Sequence, residues 1–149
     1  MLHGAEGISP LESLMRRVMG VFHVPVRIRA LDRIAVVDVD MIVDTGATRT
    51  VLPGRVVDEL GLRPDQRRPF RLANGEPVER DMGWVWLECH GRTTYTLAIL
   101  GESGDAPLLG AITLEELGFE IDPVHRVLRL APEYMLAATA ADEGTPAPS

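Results

Sequence analysis

Apolar and polar side chains alternate from residue 21 to residue 43, the period-two pattern of strands with one buried face. The alternation predicts two strands, 21–29 and 34–43, connected by Leu31-Asp32-Arg33. On the second strand Val37, Val39, Met41 and Val43 fall on one face and Asp38 and Asp40 on the other, which gives Asp44 the parity of the polar face. Residues 53–60 read as a short helix stopped by Gly61, and residues 63–66 as a polar connection containing Pro64. Two hairpins follow. The first pairs 70–73 with 76–82 around Asn74-Gly75, which accepts the positive φ angles of a tight two-residue turn, and Pro77 limits its ladder. The second pairs 84–89 with 93–100 about His90-Gly91, with Trp84 and Trp86 on one face as core or interface aromatics.

Residues 101–105 form a polar, glycine-bearing segment that reads as a flexible loop. A compact helix is predicted over 113–118, with Thr113 as cap, Glu116 as its capping-box partner and Gly118 as terminator. The strand pattern resumes over 119–130, broken near Pro123-Val124-His125. At the other end Ser9 caps a further helix, Pro10 takes its first position, and Leu11, Leu14, Met15, Val18 and Met19 recur at helical spacing up to Gly20. Beyond residue 131 the chain turns to Ala, Thr, Pro and Ser, the composition of a disordered tail. The organisation expected is an extension with an amphipathic helix (1–20), one folded domain (21–131) and a tail (132–149). Its fold class is all-β, mostly antiparallel, with two or three short helices.

Composition narrows the partners. All 15 basic residues are Arg against 22 Asp and Glu, a net charge of -7 that argues against nucleic acid. The cluster Arg63, Arg67, Arg68 and Arg71 reads as a solvated loop. The single cysteine, Cys89, excludes an internal disulfide, and as a strand neighbour of His90 it points to the opposite face from that base. No apolar stretch of about 20 residues is present to span a bilayer, and the first residues lack a basic start followed by an apolar core. A cytoplasmic protein without membrane contact is therefore expected. The four histidines are scattered without ligand spacing, so neither a metal nor a cofactor is expected.

The chemistry gathers at Val43-Asp44-Thr45-Gly46-Ala47-Thr48, a carboxylate at the end of an apolar strand followed by a hydroxyl and small residues. Leu108-Leu109-Gly110 answers it some 60 residues later. This combination resembles the retropepsin-like aspartic peptidases, over roughly residues 21–131. The resemblance implies an acid-protease barrel with one lobe per chain. It implies Asp44 as the catalytic carboxylate, Thr45 as a hydroxyl bonding across a dimer axis, and Gly46 as the residue that lets backbone approach the carboxylates. Ala47 and Thr48 would line the substrate cleft. Ala73, Asn74, Gly75 and Glu76 fall where the family carries its flap, and Leu109 is assigned to the substrate side of the element behind the active-site loop. Peptide hydrolysis by water needs one group to take a proton and another to give one, which two carboxylates sharing a proton can do. With one Asp-Thr-Gly in the chain, the pair requires a symmetric homodimer.

Two positions depart from the viral pattern. Thr48 and Ala111 stand where viral members place an acidic residue and an Arg, which brings the sequence nearer the bacterial and cellular branch. The expectation is an aspartic endopeptidase acting on peptide or protein substrates as a homodimer. Two other readings stand beside it: a non-catalytic dimerisation or peptide-binding module on the same fold, and a metal-dependent hydrolase built on Asp38, Asp40 and Asp44.

Overall fold

The computed structural model describes residues 21–44 and 46–132. The helix expected over 11–19 and the tail beyond residue 132 lie outside them. Among the described residues the elements run β1 (Phe22–Ala30), β2 (Val36–Val43), β3 (Val51–Leu52), α1 (Gly54–Leu60), β4 (Gln66–Arg71), β5 (Pro77–Cys89), β6 (Arg92–Leu100), β7 (Leu108–Leu109), α2 (Ala111–Leu117), β8 (Phe119–Asp122) and β9 (Val127–Leu130). None of the described helices is long and apolar enough to cross a membrane.

Seven strands form one sheet in the order β1-β2-β7-β3-β6-β5-β4, and β1 also pairs with β5. Six strands therefore close into a barrel and β4 hangs from its rim, leaving few backbone edges open. The ladders are antiparallel except β2 with β7 and β3 with β6. The alternation in the sequence sorts side chains as expected: Val24, Val26 and Ile28 of β1 and Val37, Val39, Met41 and Val43 of β2 point inward onto Leu52, Leu87 and Leu109. Each such side chain contributes about 1.5–3 kcal/mol by leaving water. Helix α1 covers one end of this core with Val56 and Leu60, and Gly61, in the left-handed region, returns its N–H to the carbonyls of Val57 and Asp58.

β5 carries two jobs. It pairs with β6 from Asp81 to Cys89, with β1 through Val85–Glu88, and with β4 through Pro77–Met82. The first hairpin is accordingly longer than its sequence suggested, since β4 begins at Gln66, inside the expected polar connection. What extends it is cross-strand charge: Arg67 donates to Glu79 at 3.1 Å and to Asp81 at 3.0 Å. Arg67 is thus paired rather than solvated in a loop.

The two turns exchange the roles expected of them. At the tip of β4–β5 only Gly75 has positive φ; its N–H reaches the Leu72 carbonyl at 2.9 Å, and the Asn74 side chain accepts the Glu76 N–H at 2.9 Å. That is a three-residue connection with a glycine bulge, not a two-residue turn. The two-residue turn with positive φ throughout is His90-Gly91, at 51° and 80°.

Three further expectations are corrected. Of the two roles expected for Trp84 and Trp86, the core is excluded: both lie on the outer face, Trp84 47% exposed and Trp86 beneath the Arg29 guanidinium at 4.8 Å. The segment 101–105 is pinned: Asp105 accepts the Glu102 N–H at 2.8 Å and two bonds from Arg80, and Gly54 donates to the Glu102 carbonyl at 3.2 Å. Helix α2 starts two residues before Thr113, with Gly110 as N-cap and no side-chain cap. Thr113 is buried inside the first turn, because the helix N-terminus is capped by backbone from another part of the chain.

Candidate active site

Strand β2 ends at Val43, and Asp44 follows it half-buried, on the face opposite to the Val43 side chain. Its carboxylate is oriented locally: Oδ1 accepts the Gly46 N–H at 2.9 Å, while its carbonyl accepts the Ala47 N–H at 3.1 Å. Thr45 lies outside the described residues. Gly46 is exposed, and a Cβ there would come no closer than 3.6 Å to the Asp44 carboxylate, so side-chain volume within this chain does not require glycine.

The rest of the loop is clamped by α2. Ala111 and Ile112 donate their N–H groups to the carbonyls of Ala47 (2.9 Å) and Thr48 (3.1 Å). The first helical N–H groups have no partner inside the helix, so the Asp44 loop serves as the cap of α2 and α2 fixes the loop in return. Gly110 makes this possible. A Cβ at Gly110 would sit 2.3 Å from the Arg49 carbonyl carbon and 2.5 Å from the Thr50 nitrogen, both backbone atoms with nowhere to go.

Behind the loop lies a network that sequence reading missed. The Gly110 N–H donates to Thr50 Oγ1 at 3.0 Å, the Thr50 hydroxyl donates to Thr113 Oγ1 at 2.6 Å, and Thr113 and Thr96 share a bond at 2.9 Å. All three threonines are 1% exposed. Buried hydroxyls are costly unless partnered, and here each supplies the other's partner. The loop, β6 and α2 are thereby joined in one buried chain of hydroxyls. Its sequence signal was the burial parity of Thr50 beside Val51-Leu52, which a capping-box reading of Thr113 concealed.

The register assigns the wall beside Asp44. Ile42 pairs with Leu108, Leu108 with Val51, Val51 with Ile99 and Ile99 with Met82, so these side chains share the face on which Asp44 lies. Val51, Met82, Leu97, Ile99 and Phe70 pack there as a second apolar cluster separate from the barrel core. Leu109, assigned from sequence to the substrate side, is corrected: it is wholly buried and points into the barrel, while half-buried Leu108 faces the Asp44 side. A two-residue strand has no internal pattern from which to choose between them. Ala47 and Thr48 follow Asp44 on the loop, Ala47 half-buried and Thr48 exposed. Ala73, Asn74, Gly75 and Glu76 form the exposed tip of the β4–β5 hairpin, whose backbone bonds close on the hairpin.

That arm is tied to the wall. Arg80 of β5 grips Asp105 with two bonds, 2.7 and 3.1 Å, and approaches Glu102 at 3.8 Å. The Arg80 guanidinium holds the Asp105 carboxyl below the usual carboxylate range, with the Glu102 N–H assisting. Elsewhere the acidic trio does not act together: Asp38 is ion-paired with Arg27 at 3.0 Å, and among the described residues no three His, Cys, Asp or Glu side chains group as a metal site. Cys89 is buried at the turn end of the second hairpin, and burial pushes its thiol up to about 11.

A carboxylate ending a strand, held by the glycine N–H two residues on and backed by a short helix, is an arrangement found elsewhere. Residues 33–116, more than half of the chain, match the family described as "gag-polyprotein putative aspartyl protease". The chain belongs to this aspartyl protease family. The family model spans the Asp44 loop, the β4–β5 arm and most of α2. Among solved structures, EIAV protease in complex with an inhibitor is 22% identical, with a TM-score of 0.50, covering 68% of this chain and 91% of that one. The simian foamy virus (mac) protease is 19% identical, with a TM-score of 0.47, covering 64% and 94%. With the family match and the likeness to EIAV protease, the chain has a retropepsin-like fold. No curated protein matches it.

Proposed function

We propose that this aspartyl protease is an endopeptidase that acts as a homodimer, with the Asp44 carboxylates of two chains facing each other across a twofold axis. The observation that carries the reading is the presentation of Asp44: a carboxylate just past the end of barrel strand β2, oriented by the Gly46 N–H and immobilised through Ala47 and Thr48 by α2. One carboxylate is half of the chemistry. Two held about 3 Å apart repel by about 5 kcal/mol at an effective dielectric near 20, so the pair keeps one proton between them. The ionised member takes a proton from water while the protonated member gives one toward the peptide, and the two titrate as a unit. The β4–β5 tip, residues 73–76, supplies the lid that closes over an extended peptide and sheds water.

The test is cleavage of a peptide library from acidic to neutral pH by protein whose mass is followed by sedimentation. Wild type should cleave as a dimer and Asp44→Asn should lose at least about 1,000-fold. Equal cleavage by both would sink the reading. Tight peptide binding without turnover would instead make the chain a peptide-binding module on a protease fold.

A further inference from the structure

The face shared with Asp44 is apolar along Ile42, Leu108, Val51, Ile99 and Met82, and two arginines enter it with different fates. Arg80 is neutralised by Asp105 at 2.7 Å. Arg49 is not. It stands two positions before Val51 and, because Thr50 between them is buried and both neighbours are half-buried, it lies on the same face as Val51. Its guanidinium spends one N–H on the Leu97 carbonyl at 3.3 Å. Among the described residues it has no carboxylate partner, although five other arginines, Arg27, Arg33, Arg67, Arg80 and Arg129, each have one within 4.0 Å. A half-buried guanidinium facing an apolar wall keeps donors in hand for a planar anion.

We infer that Arg49 is a specificity-determining residue that receives an acidic side chain of the substrate, so that the preferred substrates are peptides with Asp or Glu close to the scissile bond. This rests on the endopeptidase reading above. Arg49 follows Asp44 by only five positions on the same loop, and its backbone is fixed beside Gly110. The chain's net charge of -7 repels acidic peptides at long range. Beyond about 8 Å physiological salt screens that repulsion, whereas a bidentate pair at Arg49 is inside the screening length.

The test scans Glu, Gln and Lys through six positions around the cleaved bond of a peptide substrate. It measures kcat/KM for wild type and, with Asp44→Asn, the binding of the same peptides. Wild type should prefer Glu over Gln about 10- to 100-fold at one position or two neighbouring ones. Arg49→Gln should erase that preference with little change for the Gln peptide, Arg49→Glu should turn it toward Lys, and Arg63→Gln, an equal loss of charge on the α1–β4 connection, should leave it intact. Equal use of Glu and Gln peptides by wild type, or a preference that survives Arg49→Glu, overturns the inference. If wild type cleaves nothing but Asp44→Asn binds the Glu peptide selectively through Arg49, the endopeptidase reading falls and this one stands; no selectivity in cleavage or binding overturns it.

Discussion

Thr113→Val removes one oxygen from the middle of the buried hydroxyl chain and changes almost nothing else, because valine matches threonine in shape. Two bonds disappear, the 2.6 Å bond from Thr50 and the 2.9 Å bond to Thr96. Both partners are 1% exposed, so water cannot replace what is lost. A buried hydroxyl left without its partner costs about 1–3 kcal/mol. Thr50 still accepts the Gly110 N–H, which leaves it partly satisfied, and the added methyl recovers a little by burial. The expected loss is about 2–4 kcal/mol, a large share of a typical domain's total stability. Urea unfolding at fixed protein concentration, since any dimer makes stability concentration-dependent, should show the midpoint falling by about 1–2 M with an unchanged slope. Thr113→Ser, which keeps the oxygen, should lose no more than about 1 kcal/mol. A double-mutant cycle between positions 96 and 113 should give a coupling of at least about 1 kcal/mol. A Val variant within 0.5 kcal/mol of wild type, or a Ser variant as damaged as Val, would refute the reasoning.

Other outcomes follow from the same geometry. Gly110→Ala drives a methyl into the backbone of Arg49 and Thr50 and should cost more than about 3 kcal/mol, whereas Gly104→Ala, in open space with no positive φ, should be neutral by thermal unfolding. Asp105→Asn should destabilise by about 1–3 kcal/mol at neutral pH. Because Arg80 lowers the folded-state pKa of Asp105, this contribution is present above the ordinary carboxylate range and is lost as pH falls through the folded value, so variant and wild type should converge in acid. A difference that persists undiminished at pH 2–3 would contradict the ion-pair origin. Cys89, with its thiol pushed up to about 11, should react with a thiol reagent at neutral pH only as fast as the chain unfolds, and at once in denaturant.

Much of this was legible in local pattern. The alternation of Val37, Val39, Met41 and Val43 gave β2 and the parity of Asp44, and Gly61 and Gly118 stop α1 and α2 where a left-handed residue is needed. What escaped was non-local. Thr113 looked like a cap because its spacing to Glu116 fits one, yet α2 is capped by carbonyls of Ala47 and Thr48 that no local rule can find. Asn74-Gly75 carries the strongest two-residue turn signal in the chain, but the Asn74 side chain bonds the Glu76 N–H and the turn opens to three residues. Leu108 and Leu109 are interchangeable in sequence and opposite in space, a distinction made only by their partners on β2 and β3. Arg49 likewise reads as any polar loop residue until its face and its missing carboxylate are seen.

The placement of β7 sets an order of assembly. β1 meets β2, β4 meets β5 and β5 meets β6 through short connections, so these hairpins can form while synthesis continues. β7 cannot join them early: its two residues slot between β2 and β3, and Gly110 finds Thr50 across 60 positions of chain. Until that insertion the ring stays open and the carbonyls of Ala47 and Thr48 lack the α2 N–H groups that clamp them. The loop that presents Asp44 is therefore clamped only after more than 60 further residues have been made, and a chain released before Gly110 would have its hairpins without that clamp.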